Sequence, residues 1–160
     1  MVQDDQSFFL VAGHWNSRIR CWDVSDPGKE LALRTGSSLK ELKEDIMTIA
    51  VSQFHSLIAT GGCFGTILLW DFELFKVEGV LIGNKMGITS LNFIDKYPLL
   101  MSTSQCGIVS LYAVRGAPKS IKNYCLARFM NVSFDSFGDR NIGITSSTFE
   151  IKDNEHYDPE

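Results

Sequence analysis

The feature that most constrains this 160-residue chain is a twelve-residue pattern that occurs three times. "AGHWNSRIRCWD" (Ala12 to Asp23), "TGGCFGTILLWD" (Thr60 to Asp71) and "STSQCGIVSLYA" (Ser102 to Ala113) superpose without a gap. Trp22 falls on Trp70 at an offset of 48, and Trp70 on Tyr112 at an offset of 42. The columns obey strand chemistry. Gly65 and Gly107 share a position where a tight hairpin favours positive φ, and Ser17 fills it in the first copy. Ile19, Ile67 and Val109 form one apolar column, with Cys21, Leu69 and Leu111 two places on, which is the spacing of one strand face. Trp22, Trp70 and Tyr112 follow as a large aromatic suited to packing between sheets.

Both offsets lie near the about 40–45 residues of a four-stranded propeller blade, and the longer one accommodates an insertion between Asp26 and Asp45. The expected fold class is all-β: a partial propeller of about three and a half four-stranded blades. Residues 1–36 would hold the closing strands of a truncated blade, with "ELALRT" as an outer strand after the turn at Asp26 to Gly28. Residues 37–45 would connect blades; Ser38 and Glu41 fit a capping box, so this stretch reads either as one helical turn or as a solvated loop. Blades are expected over 46–84 and 85–126, a degenerate blade opening with "ARFMNVSFD" over 127–152, and an acidic tail over 153–160. So few blades do not close a ring comfortably, and closure is what removes exposed strand edges. The expectation is therefore a fragment of a longer propeller, or a ring whose remaining blades come from another chain.

Composition excludes several classes of function. A net charge of −4, a pI near 5.4 and scattered Lys and Arg argue against a nucleic-acid surface. No run reaches the roughly 18 apolar residues of a membrane helix, and the opening residues are acidic where a signal peptide would be basic, so no membrane contact and an intracellular setting are expected. Cys21, Cys63, Cys106 and Cys125 lack metal-ligand spacing and read as small half-buried thiols, so neither zinc nor a disulfide framework is expected. His14, His55 and His156 have no oriented local partner. "GVLIGNK" at Gly79 to Lys85 is one residue short of a phosphate loop and lacks the following hydroxyl, so a strand and turn is expected. No catalytic residue, cofactor site or metal site is expected.

The stretch "LIATGGCFGTILLWD" resembles the WD-repeat β-propeller family, whose blades end in Trp-Asp after a hairpin of the type Ser-Xaa-Asp-Gly-Thr. The resemblance marks Trp22, Asp23, Trp70, Asp71, Tyr112, Gly65 and Gly107 as blade-defining. It also exposes departures. The hairpin Asp that anchors the family's buried hydrogen-bond network is replaced by Asn16, Phe64 and Cys106, and no Gly-His pair precedes Ile46 or Gly87. The blades are therefore expected to be held mainly by apolar packing. A narrower pattern, "GHWNSRIRCWD", "KEDIMTIAV" and "LIATGGCFGTILLWD" in that order, is similar to ciliary WD-repeat proteins that carry an EF-hand segment and associate with axonemal microtubules and radial spokes. No EF-hand loop occurs here, since "DVSDPGKE" lacks alternating oxygen ligands.

Trp15 and Phe64 are expected near hairpin tips at one rim, where they could anchor a partner or pack between blades. Arg18 and Arg20, alternating outward beside Ile19, could meet an acidic partner or simply form a solvated face. The resemblance implies a non-catalytic scaffold for other proteins in a large assembly, with an axonemal component contacting tubulin or spoke proteins as the sharper form. The alternative is a substrate-selecting propeller subunit of an enzyme assembly such as a ubiquitin ligase.

Overall fold

The computed structural model describes residues 9–15, 19–23, 30–31, 44–74, 76–82, 84–114, 125–130 and 147–148. Eleven strands lie among them, grouped into three antiparallel sheets. The first holds β1 (Phe9–Gly13), β2 (Ile19–Asp23) and β3 (Glu30–Leu31) in chain order. The second holds β4 (Ile46–Ser52), β5 (Leu57–Gly62), β6 (Ile67–Asp71) and β7 (Lys76–Leu81). The third holds β8 (Ile88–Ile94), β9 (Leu99–Ser104), β10 (Ile108–Ala113) and β11 (Cys125–Met130). Each sheet is a meander in which every strand pairs with its sequence neighbour, the connectivity of a propeller blade.

The repeat seen in sequence recurs in the hydrogen bonds. Cys63 N donates to Asp45 O, and 42 residues on Gln105 N donates to Gly87 O. Gly65 N to Gly62 O corresponds in the same way to Gly107 N to Ser104 O, and Phe72 N to Ser56 O corresponds to Val114 N to Pro98 O. Even the irregularity repeats: the β4–β5 ladder shifts register between Ile46 and Thr48, and the β8–β9 ladder shifts between Ile88 and Ser90.

The middle sheet shows why the sequence reads as it does. Every residue of β5 is buried, because its sheet has a neighbour on each face. A strand without a solvent face has no reason to alternate, hence the run Leu57, Ile58, Ala59, Thr60. One face, with Leu57, Ile67 and Leu69, joins Ile88, Phe93 and Tyr112 of the third sheet in one apolar core. Each such side chain contributes roughly 1.5–3 kcal/mol on burial. Trp70 is also buried, and its indole N–H donates to Thr60 Oγ1 at 3.1 Å, so a bulky aromatic is buried without an unpaired donor.

Close approach between sheets depends on two glycines at equivalent positions. A Cβ on Gly13 would lie 2.6 Å from Ile46 Cγ2, and one on Gly61 would lie 2.6 Å from Ile88 Cβ. Ile46 and Ile88 open the inner strands β4 and β8, so the second and third sheets each rest an isoleucine on the bare backbone of the sheet before.

The outcome differs from the sequence reading in one element. The stretch expected to open a degenerate blade at Ala127 lies in β11, which pairs with β10 and is the outer strand of the third sheet. The misreading has a physical cause. "CLARFM" carries no alternation that marks it as an outer strand of the preceding blade, and the long link before it reads as a blade boundary. Apart from residues 147–148, the remainder of that expected blade lies outside the described residues, as do the connection over 37–43 and the acidic tail.

Gly61→Ala is expected to destabilise the protein by about 1–3 kcal/mol, because Ile88 must be displaced. Gly79→Ala is the control, since its Cβ would meet only Leu69 at an ordinary 3.8 Å. Urea unfolding midpoints of the two variants should separate clearly, with Gly79→Ala at or near the wild-type value.

Candidate interaction rims

The hairpins after β1, β5 and β9 fall at one end of the blades. His14 O accepts the amide of Ile46 while Asp45 O accepts that of Cys63, so the start of β4 touches the first two hairpins together. Gly65 is tucked under the next connection, where a Cβ would meet Asn84 O at 2.4 Å, and its φ of 94° is one that side chains avoid. Gly107, with φ 74°, repeats the turn.

Polar groups lock this end more firmly than apolar packing alone would. Glu44 reaches from the inter-blade connection into the second hairpin and accepts from Phe64 N at 3.0 Å, Thr66 N at 3.3 Å and Thr66 Oγ1. The carboxylate that the hairpin lacks at Phe64 is thus supplied from outside it. In the third blade Asn84 Nδ2 donates to Tyr112 OH at 3.3 Å and to Ser102 Oγ at 3.5 Å. Ser102 and Tyr112 are the counterparts of Thr60 and Trp70. The expectation of blades held mainly by apolar packing is corrected accordingly. Neither Glu44 nor Asn84 was visible as a clamp in the sequence, though both lie just upstream of an inner strand where a hairpin partner would be sought.

The residues singled out in the sequence distribute as follows. Trp15 is 81% exposed and Phe64 70% exposed, both at hairpin turns of this rim. Arg20 is exposed but pairs with Ala12 within the β1–β2 ladder, on the strand body instead of the tip. Arg18 lies outside the described residues. Trp70 and Tyr112 are buried and Trp22 is half-buried. Asp71 accepts from Glu73 N at 2.9 Å and Leu74 N at 2.8 Å, so the acid of the Trp-Asp pair caps the turn into β7. Asp23 ends β2, and nothing is described of its side chain.

The opposite end carries a second set of exposed apolar groups that the sequence reading missed: Phe54, Leu74 and Tyr97. Its turns are stapled across blades. Ser52 Oγ donates to Asp95 Oδ1 at 2.6 Å and accepts from His55 N at 3.1 Å, while His55 Nε2 donates to Tyr97 O at 3.1 Å. Ser, His and Asp meet here, but the connectivity is not that of a nucleophile. Ser52 donates its hydrogen bond directly to the Asp95 carboxylate, and the imidazole Nε2 donates to a backbone carbonyl instead of facing the serine hydroxyl. Gly79 to Leu81 of the phosphate-loop look-alike close β7, and Asn84 is the clamp described above. Among the described residues no group of three or more His, Cys, Asp or Glu could hold a metal, no disulfide joins any two of the four cysteines, and no helix is long and apolar enough to cross a membrane.

Glu44→Ala should strip three donors of the second hairpin of their acceptor. For a partly exposed carboxylate the loss is expected to be about 1–2 kcal/mol, with Glu44→Gln recovering part of it. Amide exchange at Phe64 and Thr66, measured alongside thermal unfolding, should accelerate first.

No protein-family model matches the chain. Among curated proteins it is 32% identical to Protein Rae1 of Drosophila melanogaster over 75 residues, covering 47% of this chain and 20% of that protein. It is 28% identical to Mitochondrial division protein 1 of Vanderwaltozyma polyspora over 107 residues, covering 59% of this chain and 15% of that protein. The chain thus spans a fifth or less of the curated relatives it matches. Solved structures superpose over more of it. Saccharomyces cerevisiae Sqt1 gives a TM-score of 0.63 at 21% identity, over 84% of this chain and 31% of that one. The RRP9 WD40 repeats give 0.60 at 19%, over 79% and 36%. A chain of the mitotic checkpoint complex gives 0.57 at 20%, over 75% and 34%. With the blade meanders, the repeated hairpin bonds and these superpositions together, the chain has the fold of part of a WD-repeat β-propeller.

Proposed function

We propose that the chain is a non-catalytic scaffold that binds other proteins through the rim carrying Trp15 and Phe64. The observation that carries this reading is the exposure of two large aromatics on hairpin turns. The second hairpin is also fixed by Glu44. A rigid aromatic at the centre of an interface is the commonest form of binding hot spot. The opposite rim, with Phe54, Leu74 and Tyr97, offers a second contact surface of the same kind. Its turns being stapled across blades means that little ordering is required when a partner arrives. That one structural neighbour is a chain of the mitotic checkpoint complex supports a place in a multi-protein assembly.

The specific setting proposed is an intracellular one, the ciliary axoneme, with tubulin or spoke proteins among the partners. It is supported by the runs "GHWNSRIRCWD" and "KEDIMTIAV". Affinity purification from ciliated cells with quantitative mass spectrometry tests both levels. Trp15→Ala with Phe64→Ala is expected to lower recovery of the principal partner by about tenfold or more at unchanged melting temperature. Phe54→Ala with Tyr97→Ala identifies partners held at the other end. Undiminished recovery with the first pair overturns the rim assignment. Recovery of a ubiquitin-ligase core in place of tubulin and spoke proteins overturns the axonemal setting.

A further inference from the structure

Two buried polar atoms beside the third sheet have no hydrogen-bond partner among the described residues: Asn84 Oδ1 and Ser110 Oγ. Ser110 is 0% and Asn84 6% exposed, so bulk solvent serves neither. They belong to one cluster. Ser110 of β10 stands directly opposite Ser102 of β9, and Tyr112 follows two places on, so these three side chains share a face of the sheet. Asn84 Nδ2 donates to two of them, Ser102 Oγ at 3.5 Å and Tyr112 OH at 3.3 Å. Directly opposed side chains in an antiparallel pair have Cβ atoms about 4.5–5.5 Å apart. The two orphaned oxygens thus flank the same Ser102 hydroxyl, and no bond joins them to each other.

Room for a third body at this place is written in the repeat. The 42-residue correspondence sets Ser102 on Thr60, Ser110 on Leu68 and Tyr112 on Trp70, and every replacement is smaller. In the second sheet Trp70 is 3% exposed and its indole N–H meets Thr60 Oγ1, so neither group is left unpaired. In the third sheet all three side chains have shrunk, yet all three are fully buried. Asn84 takes part of the room released. The rest is lined by hydroxyls and an amide where Leu68 offers only carbon.

We propose that the interior of the third blade holds one buried water molecule bridging Asn84 and Ser110. The water donates to Asn84 Oδ1 and accepts from the Ser110 hydroxyl, with Ser102 Oγ as its third partner. The unmet groups fix the class of occupant. One is an acceptor and the other a hydroxyl, so the occupant must both donate and accept. A metal cation donates no hydrogen bond, and an anion that only accepts cannot serve Oδ1. A buried water typically makes about three bonds to groups that have no other partner.

Its position gives the water a structural role. Asn84 lies between β7 and β8, and its backbone carbonyl passes over the second hairpin, where a Cβ on Gly65 would meet it at 2.4 Å. The side-chain amide of the same residue enters the third blade. Water held on Oδ1 completes the tie between the hairpin that carries Phe64 and the strands β9 and β10.

A crystal structure of the protein at a resolution that places ordered solvent is expected to show one water about 2.7–3.2 Å from both the Asn84 amide oxygen and Ser110 Oγ. Protein atoms at that point, a direct bond between Asn84 and Ser110, or no ordered solvent there would each overturn the proposal. Ser110→Ala gives a second readout in solution. If the water serves this hydroxyl, its removal takes away a bond and should lower the melting temperature by about 2–4 °C. An unpaired buried hydroxyl costs stability, so a melting temperature unchanged or raised is the contrary result. Ser110→Leu restores the residue of the second sheet and should expel the water. Magnetic relaxation dispersion of water oxygen is then expected to count one long-lived water fewer than in the wild type, and an equal count overturns the site. The wild-type crystal structure decides the matter even where Ser110→Leu fails to fold.

Discussion

The rest of this structure depends on the seat of one inner-strand isoleucine on a glycine of the preceding blade. Ile46 rests on Gly13 and Ile88 on Gly61, each at a distance that leaves no room for a side chain beneath. Sheets pack at a spacing set by what stands between them, and here nothing does at the narrow end. The wider part of the gap is then filled by Leu57, Ile67, Phe93 and Tyr112, so a wedge-shaped space is packed by residues graded from none to large. Backbone bonds at the same point, from Ile46 to His14 and from Cys63 to Asp45, bring the first two hairpins to one end and so create a rim.

Polar groups then fix what packing alone leaves free to slide. The two described hairpin junctions solve the same problem with different residues. Glu44 supplies a carboxylate to amides that have none within their own hairpin, and Asn84 supplies donors to the hydroxyls of Ser102 and Tyr112. The second solution is less complete, for Asn84 Oδ1 and the neighbouring Ser110 Oγ are buried without partners among the described residues. A buried acceptor left unpaired costs roughly 1–3 kcal/mol, the cost that a bridging water removes. In both sheets a residue of the connecting segment thus supplies polar contacts that the hairpin itself does not.

These features were unequally legible in the sequence. The ungapped columns around Trp22, Trp70 and Tyr112 exposed the repeat because strand faces and turn glycines tolerate few substitutes. Blade meanders followed from it. The assignment of β11 failed because an outer strand contacts one neighbour only and carries the weakest pattern in a blade. Glu44 was missed for another reason. Its role depends on a contact 20 and 22 residues away with amides of Phe64 and Thr66, and backbone donors leave no mark in a sequence. The exposed trio at the opposite end was missed because Phe54, Leu74 and Tyr97 sit in turns with no shared column. Trp15 and Phe64 were found because the repeat itself placed them.

Burial also decides where recognition can occur. The middle sheet has both faces consumed by its neighbours, so its large apolar surface is unavailable to a partner. What a blade can offer is its loops, and the loops at the two ends are held by different means. At one end, backbone and carboxylate contacts tie the hairpins to the start of an inner strand; at the other, Ser52 with Asp95 and His55 with Tyr97 join neighbouring turns through side chains. Either device holds an aromatic at a fixed position before any partner arrives, which removes part of the ordering cost of association. The hydrophobic effect that builds the blades also favours covering Trp15, Phe64 and Phe54, and they lie where only another molecule or a neighbouring loop could do so. The same energetics that confine the core to the inter-blade gaps thus place the recognition surfaces at the rims.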